Sequence, residues 1–423
     1  MHDFAIEINR NLSSENTSIA AHNEDEARRT LSRNKKLNIA HNGFKNQQIT
    51  ISDIVILTSL RTYYRSFLNK IVFFPNSEMN IRTKILWNVQ PHLENVGDKV
   101  SIIGAGMVGI ATAVSVLGTG VTKNLVLVDA FGDKVKGEVM DLQQGSLFLK
   151  YPRISGGNDF SATQGSKLCI ITAGVRQEAG ESRLTLAQRN SDIMVKLVPE
   201  LIKYSPETIL LMVGNPCDVL TYVAWKVSGL PQHKVLGAGT TLDTQRFRVL
   251  IAKKFRVNPA NVHAWIIGEH GDNSIPLWSS VNISGMKLKD LNPLIGRHND
   301  PEKWIDLHRE VIGAAGAIQE LKGYTNWGVG MSVAAMARSI LGNKLAIYPV
   351  SVNANGKYGI ADDIFLPLPA VLGSNGVCDI INLNLSPEEL ASLQDTAALL
   401  KTVQDGIHIK GADVKCKCRR CRT

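Results

Sequence analysis

The chain has 423 residues, of which 44% are hydrophobic, so it can bury one or two cores and is not a wholly disordered protein. Its formal charge of +9 at first suggests a polyanionic partner such as nucleic acid or an acidic membrane. However, residues 1–95 carry +3 and residues 410–423 carry +5, which leaves +1 on residues 96–409. Because the basic charge belongs to the two ends, we expect neither a nucleic-acid partner nor a membrane partner.

The N-terminal part of the chain differs from the rest. Residues 1–48 are polar and have no sustained period, which predicts disorder, and we interpret residues 1–78 as an extension of the folded body. Met79 is then a hypothetical alternative start, and residues 79–97 are an amphipathic arm. The acidic run Glu24–Glu26 argues against a transit peptide, and no early apolar run resembles a secretory signal.

From Lys99 onward, short apolar runs alternate with amphipathic stretches, which is typical of a doubly wound α/β domain with a parallel sheet. The predicted strands are 100–103, 124–128, 167–172, 208–213 and 234–236. The predicted helices include 133–144, 183–203, 301–322, 328–341 and 387–404, the last with a capping box at Ser386 and Glu389. After about residue 257 the rhythm changes to longer helices and hairpin-like runs around 345–370. We therefore expect an N-terminal sheet domain over 98–242 and a mixed α+β domain over 243–409.

One uncharged stretch, residues 101–122, is long enough to span a bilayer. It contains five glycines and many other small residues, so a strand, a tight turn and a small-residue helix explain it better.

The six cysteines do not form the spaced framework of a secreted protein, which favours a reducing, cytoplasmic location. Cys169, Cys217 and Cys378 lie in apolar runs and are interpreted as core residues. Cys416, Cys418 and Cys421 lie among cations in the tail 410–423. No fourth ligand stands at a normal zinc spacing from these three, so no metal site is predicted.

The residues Gly104-Ala105-Gly106-Met107-Val108-Gly109 form a G-x-G-x-x-G pattern between a predicted strand and a small-residue helix. An acid, Asp129, follows Gly109 by 20 residues at the end of the next strand. This arrangement predicts a Rossmann-type dinucleotide site, in which the glycines approach a pyrophosphate and Asp129 binds the ribose hydroxyls. A carboxylate there repels a 2′-phosphate, so NAD is favoured over NADP.

Three further stretches carry reactive groups. Asp243 and Arg246 are three residues apart near a helix start and share a face. His270 stands among glycines after an apolar strand, and Arg183 follows a loop after the strand ending at Thr172. Taken singly, each has an ordinary structural explanation, such as a solvated helix face, a core histidine or an exposed loop arginine.

In combination, these motifs resemble the L-lactate dehydrogenase family, within the broader lactate/malate dehydrogenase fold. The resemblance covers about residues 97–405, looks animal-like, and rests on stretches that include GAGMVG, TAGVRQEAGESRL, TTLDTQRFR, IIGEHGD and KGYTNW. It implies that His270 is the acid/base for the substrate hydroxyl and that Asp243 holds its imidazole ring. It also implies that Arg246 binds the substrate carboxylate and that Arg183, on a mobile loop, polarises the reacting carbonyl.

The resemblance assigns further residues around the cofactor and the substrate. Asn215 would bond the reacting oxygen near the nicotinamide, Arg176 would touch the cofactor, and Thr325 would line the pocket. Besides the glycine loop and Asp129, the cofactor-binding residues would include Thr172, Ala173 and Gly174. The family is usually a homotetramer, so we expect one here.

The choice between lactate and malate depends on Gln177. Malate-specific relatives carry arginine there to pair with the second carboxylate of the substrate, and a neutral amide cannot form that pair. Arg176 is adjacent, so a one-residue misalignment would reverse the choice. The alternatives left open are a malate dehydrogenase of the same fold and a catalytically silent NAD-binding scaffold.

Overall fold

The computed structural model describes residues 85–88, 99–178 and 180–409. The predicted extension 1–78, most of the arm 79–97 and the cysteine-containing tail 410–423 lie outside the described residues.

The first part of the described chain alternates strands and helices. Its strands are β1 (Leu86–Asn88), β2 (Lys99–Ile103), β3 (Asn124–Val128), β4 (Arg153–Gly157), β5 (Leu168–Ile171), β6 (Ile209–Met212) and β7 (Val235–Gly237). Its helices are α1 (Met107–Thr119), α2 (Gly132–Gln144), α3 (Arg183–Tyr204) and α4 (Cys217–Ser228). The predicted strands and helices of this part are confirmed within a few residues. Sequence reasoning missed β4, whose Gly156 and Gly157 depart from the apolar pattern used to find strands.

The second part contains longer helices and antiparallel strands. Its helices are α5 (Thr241–Phe255), α6 (Leu288–Leu291), α7 (Ile305–Lys322), α8 (Trp327–Leu341) and α9 (Pro387–Asp405). Its strands are β8 (Val262–His263), β9 (Ile266–Gly268), β10 (Ser274–Pro276), β11 (Asn282–Ile283), β12 (Met286–Lys287), β13 (Ala346–Asn353), β14 (Phe365–Gly373) and β15 (Gly376–Ile381). The capping box predicted at the start of α9 is present, with Ser386 and Glu389 bonded reciprocally.

Within the described residues, one ten-stranded sheet has the order β1-β15-β14-β13-β7-β6-β5-β2-β3-β4. The strands from β7 to β4 are parallel, whereas β13, β14, β15 and β1 pair antiparallel to their neighbours. The expected doubly wound parallel sheet and mixed second part are confirmed. The sheet continues across both parts through the pair Ser351–Gly237, a continuity that the sequence did not predict.

The central strands consist mostly of apolar residues because they are buried. Every residue of β5, β6 and β14 is buried, because helices and neighbouring strands cover them on both faces. Cys169, Cys217 and Cys378 are all buried, as expected for core cysteines. The uncharged stretch 101–122 forms β2, the turn after it and α1. Among the described residues, no helix combines the length and apolarity needed to cross a membrane.

Candidate active site

The glycine-rich turn connects β2 to α1 at the carboxyl edge of the parallel strands. Gly104 has φ +104°, a conformation that favours glycine. At Gly109, a Cβ atom would lie 1.8 Å from the carbonyl oxygen of Gly104, so a side chain does not fit. The third glycine therefore allows α1 to pack tightly against the turn, as the sequence pattern predicts.

A second loop, which follows β5, meets this turn. The backbone N–H groups of Thr172 and Ala173 both donate to the carbonyl of Ile103 at 2.9 Å, and the Thr172 hydroxyl donates to the carbonyl of Gly104 at 2.8 Å. Because β2 and β5 are adjacent while their following strands lie on opposite sides, this is the point at which the strand order reverses. In open α/β sheets, such a crevice is where ligands bind.

The arrangement fits a dinucleotide. A Cβ atom on Gly106 would meet no atom within 4 Å, so the space beside this residue is open. The first N–H groups of α1 follow directly after it. Asp129 Oδ2 accepts the Ala105 N–H at 2.7 Å, and Oδ1 accepts the Phe131 N–H at 3.1 Å. Asp129 thus ties the glycine turn to the end of β3, and its oxygens retain acceptor capacity for a ribose hydroxyl.

The acid/base candidates converge from two elements of the second part. His270 follows β9, and Asp243 lies in the first turn of α5. The Nδ1 atom of His270 lies 2.6 Å from Asp243 Oδ2, while Arg246 Nη1 donates to Asp243 Oδ1 at 3.0 Å. The side chain of Asp243 is 8% exposed and that of His270 is 29% exposed, so the imidazole keeps access to a ligand. The predicted shared face of Asp243 and Arg246 is confirmed.

Charge in this cluster favours an ionised pair. Burial alone would lower the pKa of His270, but the hydrogen bond and charge of Asp243, together with the charge of Asp218, outweigh it and raise that pKa. Burial would likewise raise the pKa of Asp243, but contacts with His270 and Arg246 hold it below its ordinary value. The geometry can therefore stabilise an imidazolium that has a proton to give.

Arg183 lies where the loop after β5 ends and the predicted helix 183–203 begins. It is the first residue of α3, and the preceding Ser182 caps that helix by accepting the Thr185 N–H. Its side chain, 52% exposed, pairs with Asp272 and approaches Glu269 at 3.5 Å. These two acids flank His270 in sequence, so Arg183 lies over the histidine loop rather than in open solvent.

The segment between β5 and α3 is held by several polar contacts. Gln177 Nε2 donates to the carbonyl of Glu181 at 2.8 Å. Arg189 on α3 pairs with Glu178 and Glu181, each at 2.8 Å. Gln177 is exposed and uncharged, and its amide oxygen carries no bond in this contact.

The other predicted residues lie on connections between elements. Asn215 lies between β6 and α4, and its carbonyl accepts a bond from Asn190 of α3 at 2.8 Å. Arg176 is exposed in the segment after β5. Thr325 is half-buried between α7 and α8. A side chain at Gly328, in the first turn of α8, would lie 3.2 Å from Leu242, the neighbour of Asp243.

Sequence reasoning missed one acid. Asp218, the second residue of α4, is 3% exposed, and its Oδ2 accepts the backbone N–H of His270 at 3.0 Å. The sequence places Asp218 in the first turn of a helix that follows a buried strand, and this position could have marked it as a site residue. Acids in the first turn, however, ordinarily stabilise the helix through its dipole.

Comparisons with known proteins agree with this geometry. Residues 98–237 match the sequence model of the lactate/malate dehydrogenase NAD binding domain, and residues 240–408 match that of the lactate/malate dehydrogenase alpha/beta C-terminal domain. The chain therefore belongs to the lactate/malate dehydrogenase family, and the expected NAD cofactor is confirmed.

Similar proteins include several named L-lactate dehydrogenases. The chain is 48% identical to the L-lactate dehydrogenase B chain of Sceloporus undulatus over 77% of this chain and 97% of that protein. It is 49% identical to the L-lactate dehydrogenase A chain of Eleginops maclovinus, over 77% of this chain and 98% of that protein. It is 52% identical to the L-lactate dehydrogenase of Petromyzon marinus, over 72% of this chain and 92% of that protein.

Proposed function

We propose that this protein is an NAD-dependent L-lactate dehydrogenase, which interconverts L-lactate and pyruvate. The observation that carries the proposal is the cluster of His270, Asp243 and Arg246 in a family whose similar members are named L-lactate dehydrogenases. The nicotinamide, when bound, supplies or accepts the hydride at C2 of the substrate.

His270 moves the proton in this proposal. In pyruvate reduction the imidazolium gives its Nε2 proton to the carbonyl oxygen as that oxygen gains charge, and in lactate oxidation the neutral ring takes the hydroxyl proton. Asp243 bonds Nδ1, which keeps the ring in the required orientation and stabilises its charged form.

Two arginines serve the substrate. The guanidinium of Arg246, held by Asp243, binds the substrate carboxylate through a two-pronged geometry that lysine cannot match. Arg183 exchanges its contacts with Asp272 and Glu269 for the reacting carbonyl oxygen, which it polarises. Asn215 bonds the same oxygen, and Thr325 lines the pocket.

The cofactor is held by the crevice between the two loops. The turn Gly104–Gly109 and the start of α1 would bind the pyrophosphate, and Asp129 would accept from the adenosine ribose. Thr172, Ala173, Gly174 and Arg176 would bind the cofactor from the other loop, and Asn215 would contact the nicotinamide.

Lactate is favoured over malate because Gln177 is neutral. The second carboxylate of oxaloacetate would find an amide and the acids Glu178 and Glu181, whose charge is already matched by Arg189. Closing the site would then leave a buried charge without a partner, which costs several kcal/mol.

The protein is further proposed to act in the cytoplasm as a homotetramer. Large apolar side chains are exposed near the β4 edge of the sheet, including Leu147, Phe148 and Tyr151 at 61%, 86% and 72%. Apolar surface of this kind supports contact with another copy of the chain. Light scattering of the purified full chain tests the assembly, and a monomer would contradict it. Cell fractionation tests the location.

The experiment that tests the activity follows NADH absorbance with pyruvate and, separately, with oxaloacetate. Faster turnover of pyruvate is expected. Faster turnover of oxaloacetate would make the protein a malate dehydrogenase, and turnover of neither would indicate a silent scaffold.

A further inference from the structure

A surface cavity of about 210 Å³ opens where α1, α8 and β13 meet. Thr119, the last residue of α1, forms one side of it, and the first residues of β13 form the other. Since a helix rises 1.5 Å per residue, this end of α1 lies ~18 Å from the glycine turn at its start. The cavity is therefore separate from the crevice proposed for the cofactor.

Two cations line this cavity, and neither is paired. Arg338 lies in the last turn of α8, Lys344 lies between α8 and β13, and both are exposed. Within the described part of the chain, no carboxylate lies at ion-pair distance from either side chain. The described lining of the cavity contains no acid.

Both helices end at the cavity, which accounts for part of this charge. The C-terminal end of a helix carries roughly half a negative charge, so a cation in its last turn is stabilising. The two helix ends together amount to about one negative charge, which is less than the charge of Arg338 and Lys344 together. The cavity thus keeps an excess of positive charge, which favours an anion.

A phenol and apolar side chains complete the lining. The Tyr348 ring is half-buried, and its hydroxyl lies 3.4 Å from the Ala335 carbonyl, a distance typical of a weak hydrogen bond. Burial raises the pKa of Tyr348, although the charge of Arg338 opposes the rise, so the phenol stays protonated at neutral pH and can donate. Met331 and Ala346 supply apolar surface beside these polar groups.

The positions of the donors favour one kind of anion. Arg338 belongs to α8, Lys344 to the turn after it and Tyr348 to β13, so the three groups come from different directions. A phosphate monoester has three terminal oxygens and nearly two negative charges at neutral pH, whereas a carboxylate has two oxygens and one charge. The volume also leaves room for an organic group, because a cavity of about 150 Å³ is sufficient to bind benzene.

We propose that this cavity is a second small-molecule site of the protein, which binds the phosphate monoester of a small apolar group. The Arg338 guanidinium and the Lys344 ammonium bind the phosphate oxygens, and the Tyr348 hydroxyl donates to one of them. The organic group packs against Met331 and Ala346. The site does not depend on the proposed dehydrogenase activity.

Calorimetric titration of the full chain with phenyl phosphate tests the proposal. The titration contains saturating NADH, which occupies the cofactor crevice and prevents the phosphate from binding at the start of α1. We expect saturable binding that is at least ~10-fold tighter than that of inorganic phosphate, because only phenyl phosphate places an apolar group in the cavity. Absence of binding up to ~10 mM, or equal affinity for inorganic phosphate, overturns the proposal.

Charge substitutions locate the binding. Arg338→Gln and Lys344→Gln should each weaken binding of phenyl phosphate by ~10- to 100-fold, because each removes a charge-assisted hydrogen bond. Both side chains are exposed, so we expect both variants to fold. The matched control is Lys196→Gln, which removes an exposed cation of α3 and should bind as the wild type does. Wild-type affinity in the two cavity variants, or equal weakening in the control, overturns the proposal.

A steric substitution tests the apolar part of the site without changing any charge. Ala346 is half-buried at the start of β13, and Ala346→Leu extends a branched side chain into the cavity. This variant should bind phenyl phosphate more weakly than the wild type does, with a smaller effect on inorganic phosphate. Thermal unfolding of the variant shows whether it is folded. A folded Ala346→Leu protein with wild-type affinity for phenyl phosphate places the ligand elsewhere and overturns the proposal.

Discussion

Replacing Asp243 with asparagine tests the acid/base pair directly. The carboxylate has two engaged oxygens, one 2.6 Å from His270 Nδ1 and the other accepting from Arg246 Nη1 at 3.0 Å. An amide can accept only through its single oxygen. If that oxygen faces Arg246, the amide N–H₂ faces Nδ1 and excludes the imidazolium; if it faces His270, the N–H₂ opposes the guanidinium.

The magnitude follows from the loss of a charged partner in a mostly buried site. A hydrogen bond to a charged group contributes ~1.5–3 kcal/mol, which corresponds to about 1–2 units of pKa. Asp243 raises the pKa of His270, so Asp243→Asn should lower the pKa of His270. The imidazole then loses its proton at a lower pH than in the wild type. Above both midpoints, the protonated fraction falls ~10- to 100-fold.

The assay is the pH profile of kcat/KM for pyruvate, measured with saturating NADH. We expect the midpoint to move toward acid by about 1–2 units in Asp243→Asn. It should remain in place in the control Asp300→Asn, because this 3% exposed acid accepts its bonds from Asn292, Glu302 and Trp304. The KM for pyruvate should rise as well, because Arg246 loses the partner that holds it. An unchanged midpoint, or one that moves toward alkaline pH, would refute the argument.

Three other substitutions test the remaining assignments. Gln177→Arg should raise the oxaloacetate-to-pyruvate ratio of kcat/KM by about 100-fold through pairing with the second carboxylate, and a constant ratio would show that another residue selects the substrate. Arg183→Gln should lower kcat ~100- to 1,000-fold with NADH affinity retained, whereas an intact kcat would remove Arg183 from the mechanism. Gly109→Ala should abolish NADH binding in a fluorescence titration because its Cβ would collide with Gly104, whereas Gly118→Ala in α1, where a Cβ meets nothing within 4 Å, should bind normally.

Local sequence was sufficient for features whose cause is local. The glycine turn between β2 and α1 follows from a tight turn and a close helix approach that only glycine permits. The capping box at Ser386 and the facing of Asp243 and Arg246 depend on residues three apart on one helix. Buried strands such as β5 and β6 were recognisable because parallel strands covered on both faces are apolar throughout.

Tertiary structure decided what depends on distant segments. His270 meets Asp243 across 27 residues and Asp218 across 52, and no periodicity connects them. The resemblance implied the first pair. It assigned no role to Asp218, although that residue lies in the stretch GNPCDVLTYVAWK on which the resemblance also rests. The predicted helix 183–203 placed Arg183 at the start of α3, where the structure has it. Its pairing with Asp272 joins residues 89 positions apart and had no local signal.

The sheet gives the same lesson at a larger scale. The apolar runs that became β7 and β13 could be read separately, but their pairing through Gly237 and Ser351 joins the two parts of the chain. That pairing also brings the Ser351 hydroxyl to Asp218. A strand's own residues set its tendency to extend, whereas the packing of the whole core decides which strand it pairs with. The contacts that support the backbone of His270 therefore became visible only in the folded chain.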